Sequence, residues 1–185
     1  MKISEHWPTH IGHVNFIQPT LLTHIMTGYD LSLDNDDKNL NIFDTKSDVI
    51  LNFKDAVFDH FTHYITNIYN CKPKNVRMQG WILNNQQGYS MIEHNHSGAA
   101  FSAVYYPLCE SDNAGGELHF TDPRVNANRG YPPEYRHIYN PVKIQPKTGD
   151  LLIFPSFLYH YVSAYHQNGR ICMPIDFYIE KKVKL

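Results

Sequence analysis

Apolar positions along the chain follow two different periods. From Asp48 to Tyr69, Val49, Leu51, Phe53, Val57, Phe58, Phe61, Ile65 and Ile68 form a roughly helical apolar stripe, which predicts a helix with one buried face. A shorter helix is expected at "TLLTHIMTGY" (20–29), preceded by an extended segment that ends at Gln18-Pro19. The polar run "DLSLDNDDKNLNIFDTKSD" (30–48) reads as a surface loop.

After "NCKPKN" (70–75) the period drops to two. "VRMQGWILNN" and "YSMIEHNH" flank a Gln-Gln-Gly turn, and "AAFSAVYYPL" and "GGELHFTDP" follow. The stretch from Val142 to Tyr165 predicts two strands separated by a Lys-Thr-Gly-Asp turn, and "HQNG" turns into the last strand, "RICMPIDFYIEKKV". The segment 124–140 is rich in Gly, Pro and Asn and is expected to be a long loop over one face. Two helices followed by about eight short strands predict a mainly β fold, a sandwich or barrel with N-terminal helices packed on one side. A single domain over 1–185 is expected, with helical support to about residue 75 and a β core from about 76.

Composition narrows the partners. A net charge of −2 with no basic stripe excludes nucleic acid as the default partner. No apolar run reaches membrane-spanning length and no signal-peptide pattern opens the chain, so a cytoplasmic location is expected. Cys71, Cys109 and Cys172 are scattered without a C-x-x-C spacing and read as free thiols.

The twelve histidines supply the candidate chemistry. Chance alone predicts roughly 0.8 H-x-H pairs at this frequency, so His94 and His96 gain meaning only from context. On a strand, positions i and i+2 share a face, which aims both imidazoles at one point and turns Glu93 and Asn95 away. A third ligand must then come from another strand, and His160, read as late in its strand, is the best placed. Arg170 follows across the "HQNG" hairpin, which would set a guanidinium near the metal on an adjacent strand. A buried arginine needs an anion; without a protein carboxylate nearby, a carboxylate ligand is its natural partner.

The ordered pieces "SAVYYP", "GGELHF", "DPR", "PKTGDLLIFPSFLYHYV" and "GR" resemble the Fe(II)/2-oxoglutarate-dependent oxygenase superfamily. Within it they are most similar to small prolyl-hydroxylase-like oxygenases of marine bacteria and bacteriophages. The resemblance covers Trp81 to about Phe177. It implies a double-stranded β-helix (jelly-roll or cupin-like), His94 and His160 as iron ligands, and Arg170 on the distal carboxylate of 2-oxoglutarate, supported by Tyr106. Asn84, or its neighbour Asn85, is the candidate for the C1 carboxylate. The implied reaction uses Fe(II), 2-oxoglutarate and O2 to hydroxylate a peptidyl, prolyl-type or small-molecule substrate, releasing succinate and CO2.

The chain departs from this pattern at three places. His96 stands where the superfamily usually has Asp or Glu; members of the subgroup often carry H-x-H, so His96 is expected as third ligand, ahead of Asp122. A third neutral imidazole in place of a carboxylate raises the net charge of the iron site by one. Cys172 replaces a hydroxyl residue two positions after Arg170, and Pro174 interrupts the last strand, which suggests an edge or a bulge. Two other functions fit the histidines: a three-histidine zinc hydrolase or hydratase, and a non-catalytic β-helix binding module.

Overall fold

The computed structural model describes residues 3, 8–31, 41–109, 114–124, 132, 134 and 141–179. Strand β1 (Gly12–Asn15) is followed by helices α1 (Pro19–Gly28) and α2 (Asp48–Tyr69). Strands β2 (Val76–Gly80), β3 (Leu83–Asn85), β4 (Met91–His94), β5 (Phe101–Leu108) and β6 (Leu118–Phe120) come next. The chain continues through β7 (Val142–Ile144), β8 (Asp150–Pro155), β9 (His160–Val162) and β10 (Arg170–Ile179). The expected helix over 48–69 is present at those bounds. It buries Ile50, Phe53, Val57, Phe61, Tyr64 and Ile65 at helical spacing and ends on Asn70 in the left-handed conformation (φ 51°).

The strands form two antiparallel sheets. The larger runs β1-β8-β5-β10-β2, with β3 also paired to β10, and the smaller runs β4-β9-β6-β7. Alternation along the central strands feeds two cores. Ala103, Tyr105, Leu151, Ile153, Ile171, Met173, Ile175 and Phe177 pack against the helices. Val104, Tyr106, Leu152, Phe154 and Cys172 instead face Leu118 and Phe120 of the smaller sheet. Two facing sheets with helices bracing the larger one form the expected double-stranded β-helix.

Several elements differ from the sequence reading. The extended segment before Gln18 contains a strand, β1, which pairs with β8. The run 76–85 is two strands: β2 pairs with Ile175–Ile179 and β3 with Arg170–Cys172. The 142–165 stretch holds three strands rather than two. Pro174 lies within central β10, so it marks no sheet edge. It sits where the partner strand breaks between β2 and β3, beside a register shift at Ile171/Met173, and the missing N–H is tolerated at such an irregularity. The turn into β8 is closed by Gly149 at φ +88°, where a Cβ would lie 2.9 Å from Ile17.

Among the described residues no helix is long and apolar enough to cross a membrane. Most of segment 124–140, including Tyr131, Tyr135 and Tyr139, lies outside the described residues.

Candidate metal centre

Strands β4 and β9 pair so that His94 stands directly opposite His160. His160 is the first residue of β9, not a late one, because the turn after Pro155 delivers the chain there. His96 lies two residues past the end of β4, and its backbone N–H donates to the Ser156 carbonyl at 3.1 Å. The ring centroids lie 4.4 Å apart for His94–His160, 5.3 Å for His94–His96 and 5.2 Å for His96–His160. One nitrogen from each ring lies within 4.8 Å of those from the other two.

Hydrogen bonding selects which nitrogen each ring presents. His94 Nδ1 is 2.8 Å from the Ile92 carbonyl oxygen, and His160 Nδ1 is 2.9 Å from that of Leu158. A carbonyl only accepts, so each Nδ1 carries the hydrogen and each Nε2 keeps its lone pair. His96 Nδ1 is 2.6 Å from Asp176 Oδ1, which has the same effect. Burial lowers the His160 pKa to about 4, assisted by His94 and His96 and opposed by the Leu158 carbonyl. The ring is therefore neutral at physiological pH, the state a metal requires. Three imidazoles, each oriented by a second bond, fit a divalent ion of the Fe(II) or Zn(II) kind.

Beside the histidines opens a cavity of about 320 Å³, lined among others by Trp81, Asn85, Tyr106, Leu118 and Arg170. Arg170 begins β10 and is 1% exposed. Its Nε donates to Asn85 Oδ1 at 3.0 Å and its Nη1 to the Gly116 carbonyl at 2.6 Å. The guanidinium carbon lies 4.6 Å from the Tyr165 ring centroid. Among the described residues no carboxylate pairs with Arg170, although a buried cation calls for an anion. Asn85 is fully buried, and its Nδ2 has no hydrogen-bond partner among the described residues. A buried guanidinium next to an unused amide donor fits a carboxylate ligand. Tyr106 lines the same cavity as a neutral phenol, its pKa raised mainly by burial and further by Cys172.

Other expectations meet a different geometry. Asn84 turns away from the cavity, and its Nδ2 donates to the Leu31 carbonyl at 2.6 Å. Asn85, not Asn84, stands opposite Arg170, and directly paired residues share a face of the sheet. Arg170 lies on the larger sheet, across the cavity from β9 rather than on a strand adjacent to it. Asp122 is held by the Arg124 guanidinium at 2.9 and 2.6 Å and is absent from the histidine cluster. Cys172 directs its thiol to Asn85 Oδ1 at 3.3 Å.

Sequence reasoning missed Asp176. It is 7% exposed and accepts a 2.7 Å bond from the Ser102 hydroxyl in addition to the bond from His96. The available signal was a lone acid within the apolar run of the last strand, six residues from Arg170 and so of the same parity.

A family model described as 2OG-Fe(II) oxygenase matches residues 79–176, more than half of the chain and a span that includes every residue of this centre. No curated protein matches. Among solved structures, a Pseudomonas putida prolyl-4-hydroxylase is similar over 92% of this chain and 93% of its own, at 13% identity and TM-score 0.67. A viral collagen prolyl hydroxylase from Paramecium Bursaria Chlorella virus-1, solved with 2OG, is similar over 92% and 96%, at 11% identity and TM-score 0.61. An oxidoreductase of the 2OG-Fe(II) oxygenase family from Burkholderia pseudomallei shares 14% identity at TM-score 0.54; the match covers 74% of this chain and 61% of that one. At these identities the likeness is one of fold.

Proposed function

The chain belongs to the 2OG-Fe(II) oxygenase family, and from that premise we propose how its own residues divide the work of an iron- and 2-oxoglutarate-dependent dioxygenase. His94, His96 and His160 hold Fe(II) through their Nε2 atoms. Arg170 binds the distal carboxylate of 2-oxoglutarate, with the Tyr106 hydroxyl and Asn85 Nδ2 as further donors. When bound, iron, 2-oxoglutarate and O2 supply the oxidation that converts a substrate C–H to C–OH, with release of succinate and CO2.

The protein's part is orientation and exclusion. The backbone carbonyls of Ile92 and Leu158 fix two of the imidazoles. The apolar walls of Trp81, Leu118 and Phe154 keep water from the reacting centre. The substrate is a peptidyl group of prolyl type, a reading supported by the fold shared with the two prolyl hydroxylases.

The observation that carries this function is the buried Arg170, with no carboxylate partner among the described residues, in the same cavity as three convergent imidazoles. A three-histidine zinc hydrolase would leave Arg170 and Asn85 without a role. The test is stoichiometric. Iron-loaded protein is expected to convert 2-oxoglutarate to succinate in an oxygen-dependent reaction. Arg170→Ala is expected to abolish 2-oxoglutarate binding by calorimetry while keeping the metal. Absence of 2-oxoglutarate binding by the wild type would defeat the proposal.

A further inference from the structure

The three imidazoles are not held alike. His94 and His160 each give the Nδ1 hydrogen to a neutral backbone carbonyl, whereas His96 gives it to the carboxylate of Asp176 at 2.6 Å. That carboxylate is buried, and among the described residues no Lys or Arg side chain pairs with it. It sits at the head of a short chain. Ser102 donates to Asp176 Oδ1 at 2.7 Å, so the 2.7 Å contact between Ser102 and Ser156 has Ser156 as donor. The Ser156 carbonyl in turn accepts the His96 backbone N–H, closing a loop around the imidazole.

A buried carboxylate is costly unless a positive charge compensates it. A neutral imidazole does so only partly; an imidazole whose other nitrogen binds a cation does so fully. We propose that Asp176 is the carboxylate this metal centre otherwise lacks, placed one imidazole away from the metal instead of on it. It acts as a positioning residue: it fixes the Nε2-presenting tautomer of His96 and lends the ring negative charge, making it a stronger donor than its two companions. With Asp176 counted, three histidines and a divalent ion carry one net positive charge, as in a two-histidine, one-carboxylate site. The departure at position 96 is thus compensated from β10, eighty residues away.

The inference rests on the proposed metal-binding role of His96, and the experiment separates the two. Fe(II) alone is titrated into the full chain, and the Fe(III)/Fe(II) potential of the loaded protein is measured. Asp176→Asn keeps an acceptor for both His96 and Ser102 and removes only the charge. It is expected to weaken Fe(II) binding about 10- to 100-fold and to raise the potential, because Fe(III) loses more stabilisation than Fe(II). Ser102→Ala keeps the charge but removes a donor that competes for it, and is expected to shift the potential slightly in the opposite direction.

The double variant His96→Asp with Asp176→Asn moves the carboxylate onto the metal and is expected to bind Fe(II) more tightly than Asp176→Asn alone. Wild-type affinity and potential in Asp176→Asn, or a double variant no better than the single, would overturn the inference and leave the proposed function standing. Failure of the wild type to bind Fe(II) would remove both.

Discussion

Phe61 of α2 and Phe177 of β10 stack face to face, with ring centroids 4.0 Å apart and planes inclined by 9°. Both are fully buried. Phe177 faces the helices while its neighbour Asp176 points to the opposite side of the sheet and meets His96, so one strand couples the helix core to the candidate metal centre. Phe61→Ala removes the helix side of this contact and is expected to cost about 3–5 kcal/mol of folding stability. Urea denaturation measures it, as a fall in midpoint at unchanged slope. Below the transition the folded variant is expected to retain Fe(II) binding, since no ligand touches Phe61.

Periodicity made the larger elements legible. The α2 stripe alone set its bounds, and the i, i+2 spacing paired His94 with His96 although His96 lies beyond the end of β4. Parity fails where a strand is irregular. Asn84 and Asn85 could not be told apart because the break after Gly80 divides β2 from β3 and only the pairing with Arg170 shows which of them turns inward. Pro174 signalled an edge or a bulge, and only the pairing shows an irregularity beside it in a central strand. Asp176 was out of reach for a further reason: its partner His96 is eighty residues away on a loop of the other sheet, and no local pattern encodes that encounter.

Asn85 offers a direct test of the anion site. Asn85→Asp deletes the unused Nδ2 donor and places a carboxylate 3.0 Å from Arg170 Nε. The buried arginine would then be neutralised from within the protein, and 2-oxoglutarate would have to compete with that internal partner. Calorimetry is expected to show a loss of about 100-fold or more in 2-oxoglutarate affinity, equivalent to ~3 kcal/mol. Fe(II) affinity is expected to be unchanged, which distinguishes the variant from a misfolded one.

Acid stability has an identifiable contributor on the smaller sheet. The Glu117 carboxylate accepts hydrogen bonds from Lys143 Nζ at 2.7 Å and from the Ser163 hydroxyl. These bonds, Lys143 first, pull its pKa from 4.5 down to about 2. The folded state therefore binds that proton less readily than the unfolded chain. The stabilisation is fully present above about pH 5 and is lost as pH falls through 4.5 towards 2. Lys143 is 56% exposed, which limits the pair to about 1 kcal/mol or less. In melting curves, Glu117→Gln is expected to lie slightly below wild type at pH 7 and to converge with it as pH drops through this window.

Gly116 controls where the Arg170 guanidinium rests. Its carbonyl accepts Nη1 at 2.6 Å, its φ is +68°, and a Cβ at this position would lie 2.1 Å from Nη1 and 2.9 Å from the guanidinium carbon. Alanine is disfavoured twice, by left-handed backbone strain of about 1–3 kcal/mol and by a collision that only movement of the arginine can relieve. The arginine cannot withdraw freely, because Nε is held by Asn85 and the guanidinium lies against the Tyr165 ring. Gly116→Ala is accordingly expected to lose about 10-fold or more in 2-oxoglutarate affinity, about 1.4 kcal/mol or greater, with a lowered melting temperature. Fe(II) affinity is expected to remain near wild type, because none of the three histidines contacts Gly116. Calorimetry with each ligand separately, on protein held below its transition, measures the difference, and equal losses for metal and 2-oxoglutarate would show that the variant disturbs the fold rather than the arginine.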